Sequence, residues 1–386
     1  LSNARLQGAI LGKVRLQGAT LAVADLTQAY LGGANLEGAF LDRACMERCF
    51  LDGACLDHAS LWAANLQSAL LYGATLRDAI LHLANLRDAD LRSAILTGAD
   101  LSEAYLQAAN CTAADLRTAN LYEANLQGTV LTEAQLQQSD LRRTTLNSTS
   151  RLNGAHLDGA AIDQITLEGT NLAVVEWPEL KRLGDEISAR QRHRRVLHYD
   201  QSGQRTWKPG GSKRPKEHRS EYLAAGRAYR TLSVALHDQG LSRAETRFHY
   251  SGEVMSRRAT YYDGVAHLRS RAFLLAPYFF VAWLLSLMLG AFAGYGVYHV
   301  WRLALTYVVI VGAFAGVYFV IGQQAHASTN GLDALVLSLT SFHGRGLQPA
   351  AGSDEVTRAF AAVEAVLGLL IEALFIASFT RRITGS

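Results

Sequence analysis

The sequence predicts a multidomain fold of the β plus α class, and three observations lead to that prediction. Leu recurs every five residues through the N-terminal part, a helical pattern begins at Glu221, and long uncharged apolar stretches follow Ala272. A chain of 386 residues is long enough for several such domains. Charge divides in the same way: residues 1–175 hold 12 Lys and Arg against 18 Asp and Glu, and the rest hold 25 against 16.

The five-residue period predicts a coil with four sides. Stepping by five from Leu1 to Leu146 gives 30 positions, of which 28 are Leu. Two residues earlier, from Ala4 onward, 24 of 29 positions are Ala. A period of five fits neither a helix nor a flat strand, because successive repeats do not return to one face. The chain must turn a corner in every repeat, so coils of about 20 residues stack about 4.8 Å apart with Leu and Ala inside.

Several repeats resemble the A(D/N)LXX units of the pentapeptide-repeat family. The clearest are Ala-Asn-Leu at 34–36 and 64–66 and Ala-Asp-Leu at 99–101. The resemblance implies a right-handed four-sided β-helix over residues 1–175. The period slips by one residue after Leu146, which predicts a bulged corner there. Some members of that family are acidic rods that mimic DNA, but a charge of −6 with interspersed Arg favours a rigid spacer or a docking surface.

Residues 176–220 are predicted to be a basic flexible linker. Between Asp200 and Arg219, Gly, Pro and six basic residues stand against two acidic ones, a composition that cannot form a core. The linker either binds anionic lipid headgroups or is a solvated tether. A cytoplasmic helical hairpin is predicted over 221–270, with Gly240 ending its first helix and Ser242 beginning the second.

The C-terminal part is predicted to be an α-helical transmembrane domain. Residues 272–301 and 303–322 contain no Lys, Arg, Asp or Glu, and about 20 such residues span a bilayer. Positive flanks favour an apolar hairpin or interfacial segment over 271–300, with a full crossing as the alternative. Residues 301–386 are predicted to form a two-span pore module with a re-entrant loop at 330–349, which implies a pore or cavity.

This module is similar to the pore of two-transmembrane potassium-type channels. Residues 334–342 resemble the pore helix, and 344–346 stand where the GYG filter lies. The resemblance implies a tetrameric ion channel whose pore and filter residues are Ser338, Thr340, Ser341, Phe342, His343, Gly344, Arg345 and Gly346. Arg345 replaces the filter Tyr, so potassium selectivity is not expected. Its guanidinium either faces the lumen or pairs with Glu364 or Asp354.

Three residues of the last apolar segment are spaced by four: Glu364, Gly368 and Glu372. An intramembrane carboxylate must face protein or water. Glu372 is therefore a candidate for a cation-attracting ring, or else a partner in an interhelical hydrogen bond. Gly368 is either a gating hinge or a site of close packing. His343 either confers pH sensitivity or caps the pore helix.

The sequence thus predicts a homotetrameric ion channel of the plasma membrane, multi-pass, with cytoplasmic β-helices. Its expected partners are further copies of itself, the lipid bilayer and a permeant ion, with no nucleic acid. The alternative hypothesis is a non-conducting membrane-anchored scaffold whose β-helix docks a protein partner. Neither enzyme activity nor a cofactor is expected, because the sequence contains no catalytic triad, phosphate loop or metal-ligand spacing.

Overall fold

The computed structural model describes two compact units of the chain, Leu1–Phe280 (unit 1) and Val281–Ser386 (unit 2). The described residues are 1–175, 182–199, 205–268, 279–280, 282–283, 286–287, 300–324, 331–343, 361–366, 368–369 and 372.

The N-terminal part of unit 1 is the expected β-helix. Arg5 forms a parallel bridge with Asp25, and Asp25 forms the next with Cys45, so one coil takes 20 residues. Backbone hydrogen bonds join the coils at each side: Leu6 N–H donates to the Asp25 carbonyl at 2.7 Å, and Asp25 N–H donates back to Ala4 at 2.9 Å. Each coil therefore serves as the template for the next.

Corners are made by residues in the left-handed backbone region. Two positions after the inward Leu, φ is positive in coil after coil, for example 64° at Gly8, 56° at Lys13 and 59° at Val23. This conformation is strained for a β-branched residue such as Val23. It is held because the Val23 N–H donates to the Asp42 carbonyl of the next coil at 2.9 Å.

The core of the β-helix consists of the inward Leu and Ala side chains. From Leu21 to Leu136 these side chains are at most 1% exposed. Cys49 and Cys111 replace Ala and Leu inside this column and are buried. Burial raises the pKa of both thiols to about 12, so neither is a reactive thiolate at neutral pH. Small and large side chains thus fill one continuous apolar column.

The bulged corner lies where the sequence slips. Strand β1 (Thr145–Asn147) pairs in parallel with β2 (Thr166–Glu168), and Thr145 is opposite Thr166, one residue more than a regular coil. Ser150 is buried at this corner and donates to the Leu126 carbonyl at 2.9 Å. The Asn147 side chain also holds this corner, because its Oδ1 accepts from the Gly128 N–H at 3.0 Å and from the Thr149 N–H at 3.1 Å.

Much of the segment predicted as a flexible linker, 176–220, has regular structure. It contains helix α1 (Gly184–Arg190) and the antiparallel strands β3 (His193–Tyr199) and β4 (Arg205–Ser212). The linker prediction fails in these elements because α1 closes the end of the β-helix. Leu183 is buried there, and the Gly184 N–H donates to the Ala160 carbonyl at 2.7 Å. A Cβ at Gly184 would clash with the Gly159 carbonyl oxygen, so only Gly permits this approach.

Two long helices complete unit 1: α2 (Pro215–His237), which begins earlier than the sequence suggests, and α3 (Ser242–Leu268). They are antiparallel, because Arg219 near the start of α2 pairs with Asp263 near the end of α3 at 2.7 Å. The α2 helix also contacts the last coils. Arg227 pairs with Asp163 at 2.8 Å, and Gln239, just after α2, bonds the backbone of Thr170 at 2.6 Å.

Unit 2 contains α4 (Val300–Gln324), α5 (Gly331–Phe342) and further helical residues at 361–366 and 368–369. Ser338 of α5 donates to the Val311 carbonyl of α4 at 2.9 Å, so the two helices pack together.

In the part of the chain that the structure describes, none of the helices combines the length and the apolarity needed to cross a bilayer. The tetrameric ion channel and the multi-pass plasma-membrane location predicted from 301–386 are therefore wrong. An uncharged stretch of sequence is by itself not sufficient evidence for a membrane-spanning helix. The predicted hairpin or interfacial segment at 271–300 lies largely outside the described residues.

Truncating an inward leucine should destabilise the β-helix strongly. Leu86→Ala removes a fully buried side chain from a column that cannot collapse, because the coil spacing is fixed by backbone hydrogen bonds. We expect the free energy of unfolding to fall by about 2–5 kcal/mol, measured by chemical denaturation with circular dichroism. The control is Leu70→Ala, which removes the same atoms from an outward position that is 36% exposed. Equal losses in the two variants would contradict the assigned core.

Asp185 of α1 should make the stability of unit 1 depend on pH. Its carboxylate is buried and accepts a hydrogen bond from the Ile162 N–H at 2.6 Å. Burial raises its pKa to about 6, and the nearby Asp163 adds to the rise, while the Ile162 hydrogen bond and Arg142 oppose it. The folded chain therefore holds this proton at a pH where the unfolded chain has lost it. The free energy of unfolding falls as pH rises from about 4 to about 6, by up to about 3 kcal/mol.

Asp185→Asn should remove this slope, because the amide oxygen still accepts from Ile162 but does not titrate. Denaturation midpoints between about pH 4 and pH 7 measure the effect. Asp52→Asn, an exposed site on the β-helix, is the matched control and should keep the wild-type slope. The assignment fails if Asp185→Asn and wild type show the same pH dependence.

Candidate functional site

The predicted pore and filter residues fall into three groups. Ser338, Ser341 and Phe342 are buried on the inner face of α5, and the Phe342 ring packs edge-on against Tyr307 at 4.9 Å. Thr340 is exposed and bonds back to the Val336 carbonyl of its own helix at 2.9 Å. The predicted filter residues Gly344, Arg345 and Gly346 lie outside the described residues.

Glu364 is held inside unit 2. Its side chain is fully buried, accepts a hydrogen bond from the Tyr318 hydroxyl at 2.8 Å and accepts another from Ser338. Burial raises its pKa, while the two hydroxyl donors oppose the rise. The carboxyl group therefore faces protein and joins α4, α5 and the last helical residues.

Gly368 lies against the end of α5. A Cβ there would clash with the Phe342 carbonyl oxygen, so this position requires Gly for close packing. The sequence leaves two roles open for Gly368, a gating hinge and a site of close packing. The approach to Phe342 supports close packing.

His343 and Glu372 form an exposed pair. His343 Nδ1 lies 2.5 Å from Glu372 Oε1, and its Nε2 lies 3.1 Å from the Tyr307 hydroxyl. Both side chains are nearly half exposed, so the pair is screened by solvent. Its effect is to link the end of α5 to Glu372, the last of the described helical residues. Among the described residues, no group of three acidic, Cys or His side chains could hold a metal ion.

A surface feature of the β-helix offers a better candidate site. Ile10 bridges to Tyr30, Tyr30 to Phe50 and Phe50 to Leu70, so four apolar side chains stand in a row on one side of four successive coils. We call these residues the apolar stripe. They are 87%, 49%, 40% and 36% exposed, respectively. The next position along the row is Asp90, where the stripe ends.

Mostly small or uncharged residues border the stripe. The Tyr30 ring lies over Gly12 and Gly32, where a Cβ would come 2.7 Å and 3.0 Å from ring atoms. The residues two positions away on either side are Gly8, Gly12, Gln28, Gly32, Arg48, Asp52, Ser68 and Tyr72. Of the two charged residues among them, Arg48 pairs with Glu47 at 3.8 Å. Tyr72 is also exposed, and the Arg92 guanidinium lies 5.6 Å from the centroid of its ring.

Sequence analysis missed this stripe because it followed the inward period of five. The signal was present at every twentieth residue, from position 10 to position 70. A period of 20 becomes meaningful only when the number of residues per coil is known.

Coils nearer the C-terminal end of the β-helix carry Arg–Asp pairs on their surface instead of an apolar row. Arg92 bonds Asp90 at 2.8 Å and 2.6 Å, and Arg117 bonds Asp115 at the same distances. Hydrogen bonding by Arg92 lowers the pKa of Asp90 more than burial raises it. Asp90 and Asp115, which lie on adjacent sides of the coil, are therefore each balanced by their own Arg.

Comparisons with known proteins agree with this fold. The family model "Pentapeptide repeats" matches in eight copies, over residues 1–38, 24–62, 54–92, 84–121 and 109–147. No curated protein matches the chain significantly. The comparisons give no support to the resemblance between 301–386 and a potassium-channel pore.

Three solved structures are similar to the N-terminal region. HetL, a pentapeptide repeat protein involved in heterocyst differentiation regulation from the cyanobacterium Nostoc sp., is 35% identical over 42% of this chain and 82% of its own, with a TM-score of 0.20. QnrB1, a plasmid-mediated fluoroquinolone resistance protein, is 17% identical over 45% of this chain and 86% of its own, with a TM-score of 0.36. A pentapeptide repeat protein from the Arabidopsis thaliana thylakoid lumen is 26% identical over 25% of this chain and 66% of its own, with a TM-score of 0.25.

The matched repeats lie in the region whose coils, corners and apolar column are described above. Residues 1–147 of the chain therefore consist of pentapeptide repeats.

Proposed function

We propose that this chain is a non-enzymatic docking scaffold whose apolar stripe binds a short, uncharged apolar segment of a partner protein. The single observation that supports the proposal is the row of exposed Ile10, Tyr30, Phe50 and Leu70. Exposed apolar side chains that stand in a contiguous row mark interaction sites, whereas scattered ones do not.

The dimensions of the stripe favour a peptide segment. Four coils about 4.8 Å apart give a row about 15 Å long, the length of about five extended residues. A stable contact between two rigid proteins needs about 800 Å² from each partner. A row one side chain wide offers much less, so a second β-helix would not be held by it.

The chemistry of the stripe favours an apolar, uncharged occupant. Its aromatic members, Tyr30 and Phe50, lie with ring centroids 6.3 Å apart and supply large contact area at little cost in side-chain entropy. No side chain of the row itself is charged, and Arg48 beside the row is already paired with Glu47 at 3.8 Å, so an apolar segment is favoured over a charged one. The rigid coils hold the row in place before binding, which reduces the ordering cost.

Phe50→Asp should abolish peptide binding. The probe is a display library of seven-residue peptides selected on the full chain, and its enriched sequences are then titrated by fluorescence anisotropy. We expect enrichment of uncharged peptides with several apolar residues. The dissociation constant of an enriched peptide should rise at least tenfold in Phe50→Asp, because a central aromatic anchor is replaced by a charge.

The matched control is Phe40→Asp. Phe40 is 50% exposed on the opposite side of the coils, where it bridges Thr20 and Ser60 and is not part of an apolar row. This variant should bind within twofold of wild type. A library that yields only charged peptides, or peptides that bind equally to both variants, would refute the proposal.

A further inference from the structure

Helix α5 of unit 2 has large apolar side chains on both its buried and its exposed side. The buried side lies in the interior of the unit and is formed by Ala334, Ser338, Ser341 and Phe342. The exposed side carries Leu332, Leu335 and Val336, beside Asp333 and Thr340. Large apolar side chains on both sides of a helix are normally covered on both sides.

The helical residues at 361–366 and 368–369 repeat this arrangement. Ala361, Ala365 and Gly368 are buried, whereas Val363, Val366 and Leu369 are exposed. The exposed side is again apolar, and it points away from the contacts that Glu364 makes with Tyr318 and Ser338.

Helix α4 likewise has a buried side and an exposed apolar side. Val311 and Tyr318 are buried, whereas Val308, Phe319 and Val320 are exposed. Gly312 and Gly316 also face open space, since a Cβ at either would meet no other atom within 4 Å. Large exposed side chains thus alternate with open positions at which another helix can approach closely.

From these faces we infer that copies of this chain associate through unit 2. Each copy buries the exposed apolar side of α4, of α5 or of the helical residues at 361–366 and 368–369 against another copy. The buried sides of the three segments meet in one interior, so their exposed sides point in different directions. One short peptide cannot cover all of them, whereas copies related by rotation bring identical surfaces to each side.

The composition of the faces agrees with self-association. Residues 303–322 carry no Lys, Arg, Asp or Glu, so the surface of α4 offers no charge for the selection of a charged partner. Phe319 and Val320 supply bulk, while Gly312 and Gly316 supply space on the same helix, so two copies of α4 are complementary. The association requires no helix to cross a membrane.

Sedimentation equilibrium of the full chain tests the inference. Wild type should sediment as a multimer, and Val336→Asp should raise its dissociation constant at least tenfold. The matched control is Val234→Asp on α2 of unit 1: Val234 is 61% exposed and Val336 is 57% exposed. The control should leave the sedimented mass unchanged.

Gly316→Leu provides a second variant in case Val336→Asp does not fold. The added Leu side chain enters open space beside Gly316, so the fold should survive. The same side chain should block the close approach of another copy. Circular dichroism verifies that the variant is folded. The inference is overturned by a wild-type chain that sediments as a monomer, whether or not it binds phosphatidylcholine vesicles. It is equally overturned by a multimer that neither variant weakens.

Discussion

The structure of unit 1 depends on the parallel backbone hydrogen bonds that join each coil to the next. They set the coil height, and they hold even Val23 in a left-handed corner that its side chain disfavours. A fixed coil height leaves room for only one layer of side chains per repeat. Leu and Ala fill that layer, so the same constraint that orders the backbone specifies the interior. Outward side chains do not have to fit this layer, so their identity can vary and they can serve binding.

Because the rod grows by adding identical coils, its open end must be closed by different structure. Helix α1 closes it at Gly184, where the backbone approaches too closely for any side chain. Arg227 and Gln239 then attach the long helices to the last coils. This closure also buries Asp185, and the burial raises the pKa of its carboxyl group.

Both proposed interaction surfaces arise from apolar side chains that the chain does not cover itself. On the β-helix they form a narrow row suited to a peptide segment. In unit 2 they occur on every described helix, on the side opposite the interior around Glu364. The exposed apolar surface is narrow on the β-helix and broad on unit 2, so we expect different partners. The row binds a short segment of another protein, and the helices bind further copies of the chain. In this proposal the row on the β-helix binds the partner segment, and association through unit 2 brings several copies of that row together.

The sequence by itself determined the β-helix, its inward residues and the bulge after Leu146, because a strict period and its slip map directly onto coil geometry. It could not predict helix α1 and the paired strands β3 and β4, since their order depends on the contact of α1 with the last coil. Nor could an uncharged stretch by itself establish a membrane span or a pore. The burial of Glu364 and the alignment of Ile10 with Leu70 are likewise tertiary, because both depend on which distant residues the fold brings side by side.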